Sequence, residues 1–169
     1  MKKVYQTIVG SGSGNCVAAS VASILGLELD EVPALSPDDA QMRNLIDFMN
    51  KSGYEYKGSL FNKNYWILQH PNSVYCFENT EWYEPQILTK EKLSKEEGIN
   101  GLFLAVVYSP KFSNFRYSGE RGTHQVIVDK DLNIVHDPNK GYKDIIRYPL
   151  ADLLGLNGIV YIEIFEKLN

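Results

Sequence analysis

The chain is poor in the residues that build metal sites and disulfide frameworks. Of its 169 residues two are cysteine and three are histidine. Cys16 and Cys76 lie far from each other and from His70, His124 and His136. This makes neither a zinc spacing nor a disulfide pattern, so no metal is expected. No run of about 18 apolar residues occurs, and no membrane-spanning helix is expected. The first residues start basic but carry only Ile8 and Val9 ahead of Gly10, so no apolar core of a secretory signal is read there. Positive charge is not in excess either: 17 Lys and Arg face 21 Asp and Glu, a net charge of −4. That balance argues against nucleic acid and against an anionic membrane surface as partners. A cytoplasmic chain with free thiols is the resulting expectation. With 44% hydrophobic and 22% charged residues, the composition is that of an ordinary globular domain, and 1–169 reads as a single one.

A glycine-rich loop, Gly10 to Gly14, leads into Asn15 and then Cys16-Val-Ala-Ala-Ser-Val-Ala-Ser-Ile-Leu25, with Gly26 as a C-terminal stop. Asn15 is a suitable N-cap, and a helix that is apolar or small on every side is buried all round. A second helix starts near Pro37, carries Met42, Leu45, Ile46 and Met49 at helical spacing, and stops at Gly53. Residues 54–89, with Tyr65, Trp66, Trp82 and Tyr83, read as strands and turns. Thr89 caps a short helix to Glu97. Gly101 to Tyr108 is a buried strand, Gln125–Val128 and Ile134–Val135 form a hairpin, Tyr148–Leu154 reads as a helical turn, and Ile159–Phe165 is a last strand. Helices first and antiparallel strands after predict an α+β fold.

Chemistry concentrates on three of these residues. Cys16 lies in the first turn of the buried helix, where unpaired N–H groups and the helix dipole favour a thiolate. The other reading is a buried thiol acting as a small hydrophobe. His124 opens one strand of the hairpin and Asp137 ends the other. With a tight turn at Lys130-Asp131, paired residue numbers sum to 261 and His124 stands opposite Asp137, close enough for carboxylate to hold imidazole. A nucleophile, a base and a group that orients the base is the pattern of covalent catalysis. His136 falls on the other face of its strand and reads as structural or solvent-facing, His70 as a surface residue, and Cys76 as core. The glycine loop lacks the lysine of a phosphate-binding loop. Asp129, Asp131 and Asn133 lack the glycine and distal glutamate of a calcium loop. No cofactor is expected.

Gln6-Thr7, then Gly14-Asn15-Cys16-Val-Ala-Ala-Ser-Val-Ala-Ser-Ile-Leu-Gly-Leu and Glu31-Val32-Pro33, together with His124-Gln-Val-Ile-Val and Val135-His136-Asp137-Pro138, resemble the papain-like cysteine peptidases of the C39-like type. The resemblance covers residues 6–33 and 124–138. It implies a papain-like fold, with the central N-terminal helix that carries the cysteine packed on an antiparallel β-sheet. It implies Cys16 as nucleophile, His124 as base, Asp137 as orienter and Gln6 as oxyanion donor. Papain-like enzymes commonly place that glutamine six residues before the cysteine, where this chain has Gly10. Gln6 lies ten before, and it serves only if the glycine-rich loop bulges out.

Two classes of function follow. One is a cysteine hydrolase acting on a peptide or related amide through a thioester, with acyl transfer as a close variant. The other is a non-catalytic module on the same fold that sequesters an anionic small molecule or a partner protein; such a domain without a transporter suits a phage or mobile element by analogy. Gly14 and Asn15 beside the cysteine, and Arg116 and Arg121 in the basic, aromatic loop Ser109 to Thr123, are the candidate ligand contacts. Neither the substrate nor the oligomeric state is legible.

Overall fold

The computed structural model describes residues 1–8, 14–35, 41–65, 86–108, 123–139 and 154–168. Expectations for Pro37, Trp66, His70, Cys76, Trp82 and Tyr83, for the loop with Arg116 and Arg121, and for the turn Tyr148–Leu154 fall mostly or wholly outside those residues.

Among the described residues the elements run α1 (Cys16–Leu25), a 3-10 turn (Leu29–Glu31), α2 (Gln41–Lys51), β1 (Tyr54–Phe61), α3 (Lys90–Lys95), β2 (Leu102–Tyr108), β3 (Thr123–Asp129), β4 (Ile134–His136), a second 3-10 turn (Leu156–Gly158) and β5 (Ile159–Lys167). The strands form one antiparallel sheet in the order β1-β5-β2-β3-β4. This is the α+β architecture the sequence predicts, with helices packed on an antiparallel sheet. No described helix is long and apolar enough to cross a membrane.

α1 is buried from Val17 through Ile24. Its small side chains explain how it lies so close to the sheet: Ser20 Oγ donates to the backbone oxygen of Gln125 on β3 at 3.4 Å. Gly26 ends it in the left-handed conformation at φ 77°, its N–H returning to the Ala22 carbonyl. α2 packs on β1, and Leu45 and Met49 carry its buried face. Thr89 caps α3 as expected, accepting from Lys92 N–H at 3.0 Å. The other face of the sheet buries Leu93, Phe103, Val126, Val128 and Ile162. Each such side chain contributes about 1.5–3 kcal/mol by leaving water. Gly98 is required where the chain turns into β2. Its φ is +63°, and a Cβ there would stand 2.7 Å from the Leu102 carbonyl oxygen.

Glu163 stands out in β5. It is 4% exposed, between Ser59 of β1 and Leu104 of β2, and burial pushes its carboxyl up to about 8. A carboxyl raised in the folded state contributes stability that is full below its ordinary range and is lost as pH rises through the folded value. Glu163→Gln is therefore expected to match the wild type near pH 4 and to become progressively more stable than it up to pH 9. Thermal melts of the two proteins across that range check this; parallel curves would refute it.

Candidate active site

Cys16 is the first residue of α1 and is half-buried. Burial by itself raises its thiol. The His124 imidazole, through a hydrogen bond and its charge, and backbone hydrogen bonds from Gln125 and Val17 act the other way, and the thiol ends below its ordinary value. No acidic residue occupies the first turn of α1 to oppose the helix dipole.

His124 is the second residue of β3 and is 8% exposed. Its Nε2 lies 2.6 Å from Asp137 Oδ1. With Nε2 so engaged, Nδ1 is the ring nitrogen left for the thiol. Burial lowers the imidazole, but the bonds to Asp137 and to Cys16 outweigh it and raise it to about 9. Asp137 is fixed in turn: the same Oδ1 accepts from Asn139 N–H at 2.8 Å. The structure thus brings together Cys16, His124 and Asp137.

It does so in a different register from the one expected. The observed partners are Ile127 with His136 and Val128 with Ile134, with a bulge between, so the numbers sum to 263 and 262 instead of 261. The cause is the turn. Leu132 takes the left-handed conformation at φ 67°, and Asp129 Oδ1 accepts from the N–H groups of Asp131 and Asn133, both at 2.9 Å. Asn133 Nδ2 donates to the other Asp129 oxygen at 3.0 Å. A longer loop replaces the tight turn, and Asp137 reaches His124 diagonally from beyond the end of β4. The same bonds occupy the Asp129 carboxylate with its own backbone. Among the described residues no group of His, Cys, Asp and Glu side chains converges as a metal site.

The N-terminal segment runs as a strap between α1 and the end of β4. Val4 is held from both sides: its N–H donates to Ser23 Oγ at 2.8 Å, and its carbonyl accepts from His136 Nε2 at 2.8 Å. Of the two readings the sequence left open for His136, the structural one holds and the solvent-facing one does not, since it is buried, and burial lowers its pKa. Gln6 N–H donates to the Pro138 carbonyl at 2.9 Å, which sets Gln6 beside the residue after Asp137. Its side-chain oxygen is buried and has no partner among the described residues.

Asn15 does not cap α1 with its side chain. Its Oδ1 accepts from Thr7 N–H at 3.1 Å and Ile8 N–H at 3.0 Å, and its Nδ2 donates to Thr7 Oγ1 at 3.0 Å. Its own N–H donates to the Ile8 carbonyl at 3.2 Å. The side chain clamps the strap to the start of the helix that carries Cys16. Gly14 adjoins it and is half-buried. Arg116 and Arg121 lie outside the described residues. Sequence reasoning missed Ser23 and Asn139. A serine on a helix with no polar face, and Asx-Pro-Asn after a strand, were the available signals.

The thiol and imidazole shifts predict how Cys16 reactivity depends on pH. A thiol lowered beside an imidazole that is raised to about 9 keeps its thiolate to lower pH than an ordinary thiol does. Iodoacetamide labelling mapped to Cys16 is expected to stay fast to lower pH in the wild type than in His124→Ala. In His124→Ala it should fall about tenfold per unit below pH 8, as for an ordinary thiol. Identical profiles in the two proteins would refute the coupling. Comparison of the chain with protein-family models, with curated proteins and with solved structures finds no match, so the functional reading stands on this geometry.

Proposed function

We propose that this chain is a papain-like cysteine hydrolase acting on a peptide or related amide. The observation that carries the reading is the continuous line Cys16–His124–Asp137. It joins a thiol lowered at a helix start to an imidazole raised to about 9 and a carboxylate at 2.6 Å.

The Cys16 thiolate attacks the substrate carbonyl carbon and the C=O electrons move to oxygen. The Cys16 backbone N–H and Gln6 Nε2 donate to that oxyanion. The ten-residue spacing of Gln6 is compatible with this role, since Ile8 and Asn15 are bonded in both directions and Gln6 is pinned beside Pro138. The tetrahedral adduct collapses, the C–N bond breaks, and His124 gives its Nδ1 proton to the leaving amine. A thioester remains. His124, now neutral, takes a proton from water, whose oxygen attacks the thioester; the acid leaves and the thiolate–imidazolium pair is restored. An amine in place of water gives acyl transfer with the same residues. Asp137 holds the imidazole in the tautomer and orientation both steps need.

An electrophilic peptide probe read by intact mass tests this. Wild type is expected to take one adduct, on Cys16. Cys16→Ala should take none, and His124→Ala should react at least about a hundredfold more slowly. Asp137→Asn should keep more rate than either, because it keeps the ring in place by a weaker bond. Asp137→Ala should also lose about 1–3 kcal/mol of stability by leaving His124 without its partner. A wild type inert to a broad probe set would sink the hydrolase and leave a binding module.

A further inference from the structure

Gln125 Nε2 and Glu163 Oε2 are buried, have no hydrogen-bond partner among the described residues, and have no part in the mechanism above. Both residues are 4% exposed. Their strands place them on one face of the sheet. Gln125 shares its parity on β3 with Ile127, and Glu163 shares its parity on β5 with Phe165; both neighbours belong to the core beneath α1 and α2. Gln125 stands opposite Val106 of β2, and Glu163 stands opposite Leu104 of β2. Val106 and Leu104 are two apart and so face the same way. The two polar ends therefore flank one strip of β2 from either side. The β3 end of that strip lies next to Cys16, since the Gln125 backbone bonds the Cys16 sulfur.

Buried polar groups in native structures are nearly always satisfied, and those that are not mark places of use more often than chance allows. Among the described residues, the hydroxyl of Ser59, the cross-strand neighbour of Glu163, is bonded to the Tyr56 hydroxyl at 2.7 Å instead. With its carboxyl held up to about 8 by burial, Glu163 is a neutral group in the neutral range. What is left unmet is one N–H donor on β3 and one carboxyl oxygen on β5.

We propose that Gln125 and Glu163 form a specificity site for a carboxamide, the side chain of a substrate glutamine or asparagine seated beside Cys16. The inference rests on the hydrolase reading. The carboxamide oxygen accepts from Gln125 Nε2, and its NH2 group donates to Glu163 Oε2. A lysine or arginine has donors only and leaves Nε2 unmet. An aliphatic side chain leaves both ends unmet. Sites that hydrogen-bond a substrate group reject analogues lacking it strongly, because their own buried groups are then left unpaired.

The test compares electrophilic peptides that differ only in one side chain, glutamine, lysine or leucine, by their rates of labelling at Cys16. Wild type is expected to prefer glutamine over leucine by at least about tenfold. Glu163→Met and Gln125→Met should each bring that ratio close to one, while melting no lower than wild type. Glu163→Gln, which keeps an oxygen acceptor, should retain most of the preference. A purely structural role for either residue moves melting temperature and not the ratio. A wild-type ratio near one, a preference for lysine, or a glutamine preference that survives in both methionine variants overturns the proposal. Failure of every peptide to label, while iodoacetamide still modifies Cys16, overturns the hydrolase reading itself and this proposal with it.

Discussion

Everything at the site depends on how closely α1 lies against β3. Cys16 meets the backbone of Gln125 and the ring of His124 only because the helix behind it carries Ala18, Ala19, Ser20, Ala22 and Ser23 where most buried helices carry Leu or Ile. Larger side chains would lift the helix from the sheet and take the thiol out of reach of the imidazole. The two serines also convert close approach into fixed position. Ser20 bonds the Gln125 carbonyl on the sheet. Ser23 accepts from Val4 and donates to the Ala19 carbonyl one turn back. Close packing thus sets the height of the helix, and hydrogen bonds set its placement along the strand.

The strap solves a second problem. Asp137 sits past the end of β4. Its position is inherited from neighbours: His136 is bonded to Val4, Pro138 is bonded to Gln6, and Asn139 returns to the Asp137 carboxylate. Since Val4 is also tied to Ser23, and Thr7 and Ile8 to Asn15, one short segment links the helix that carries the thiol to the turn that carries the carboxylate. His136 shows why a histidine serves here. It buries an aromatic ring edge-on to Tyr5, with centroids 5.3 Å apart, and still offers an N–H to a backbone carbonyl.

The sequence made the helix, the α+β class and the three central residues legible because each rests on a local signal. A run of small residues ending in glycine, a buried strand before a polar loop, and a histidine and an aspartate bracketing a hairpin are all short-range patterns. The register was not legible, and for a physical reason. Lys130-Asp131 is no favoured tight turn, and the loop adopted instead is set by one carboxylate bonding three groups of its own chain and by a leucine at positive φ. Asn15 misled for a related reason. The residue type suits a cap, but a strap with two free N–H groups competes for the same oxygen and wins it. The role of Glu163 was invisible because an isolated glutamate in an apolar run, Ile-Glu-Ile, reads equally as the solvent side of an edge strand. Only the strand order, which puts β5 between β1 and β2, buries it.

The three groups at the centre also form one electrostatic unit, and its order matters. With Cys16 lowered and His124 raised, the charged forms of thiol and ring favour one another, and the Asp137 carboxylate stands in line behind them. Both negative ends have backbone N–H groups near them: Val17 and Gln125 for the sulfur, Asn139 for the carboxylate. The ring has none and depends wholly on its two neighbours. His124 is therefore the member whose charge the fold supports least by itself. It is cationic because it sits between two anions. On the proposed hydrolase mechanism, the C–S bond of the tetrahedral adduct would already cap the sulfur, so the ring would lose part of the support for its proton before that proton goes to the leaving amine. Under that proposal the arrangement would weaken the hold of His124 on its proton at the step where the proton must leave, and restore it when the thiolate returns.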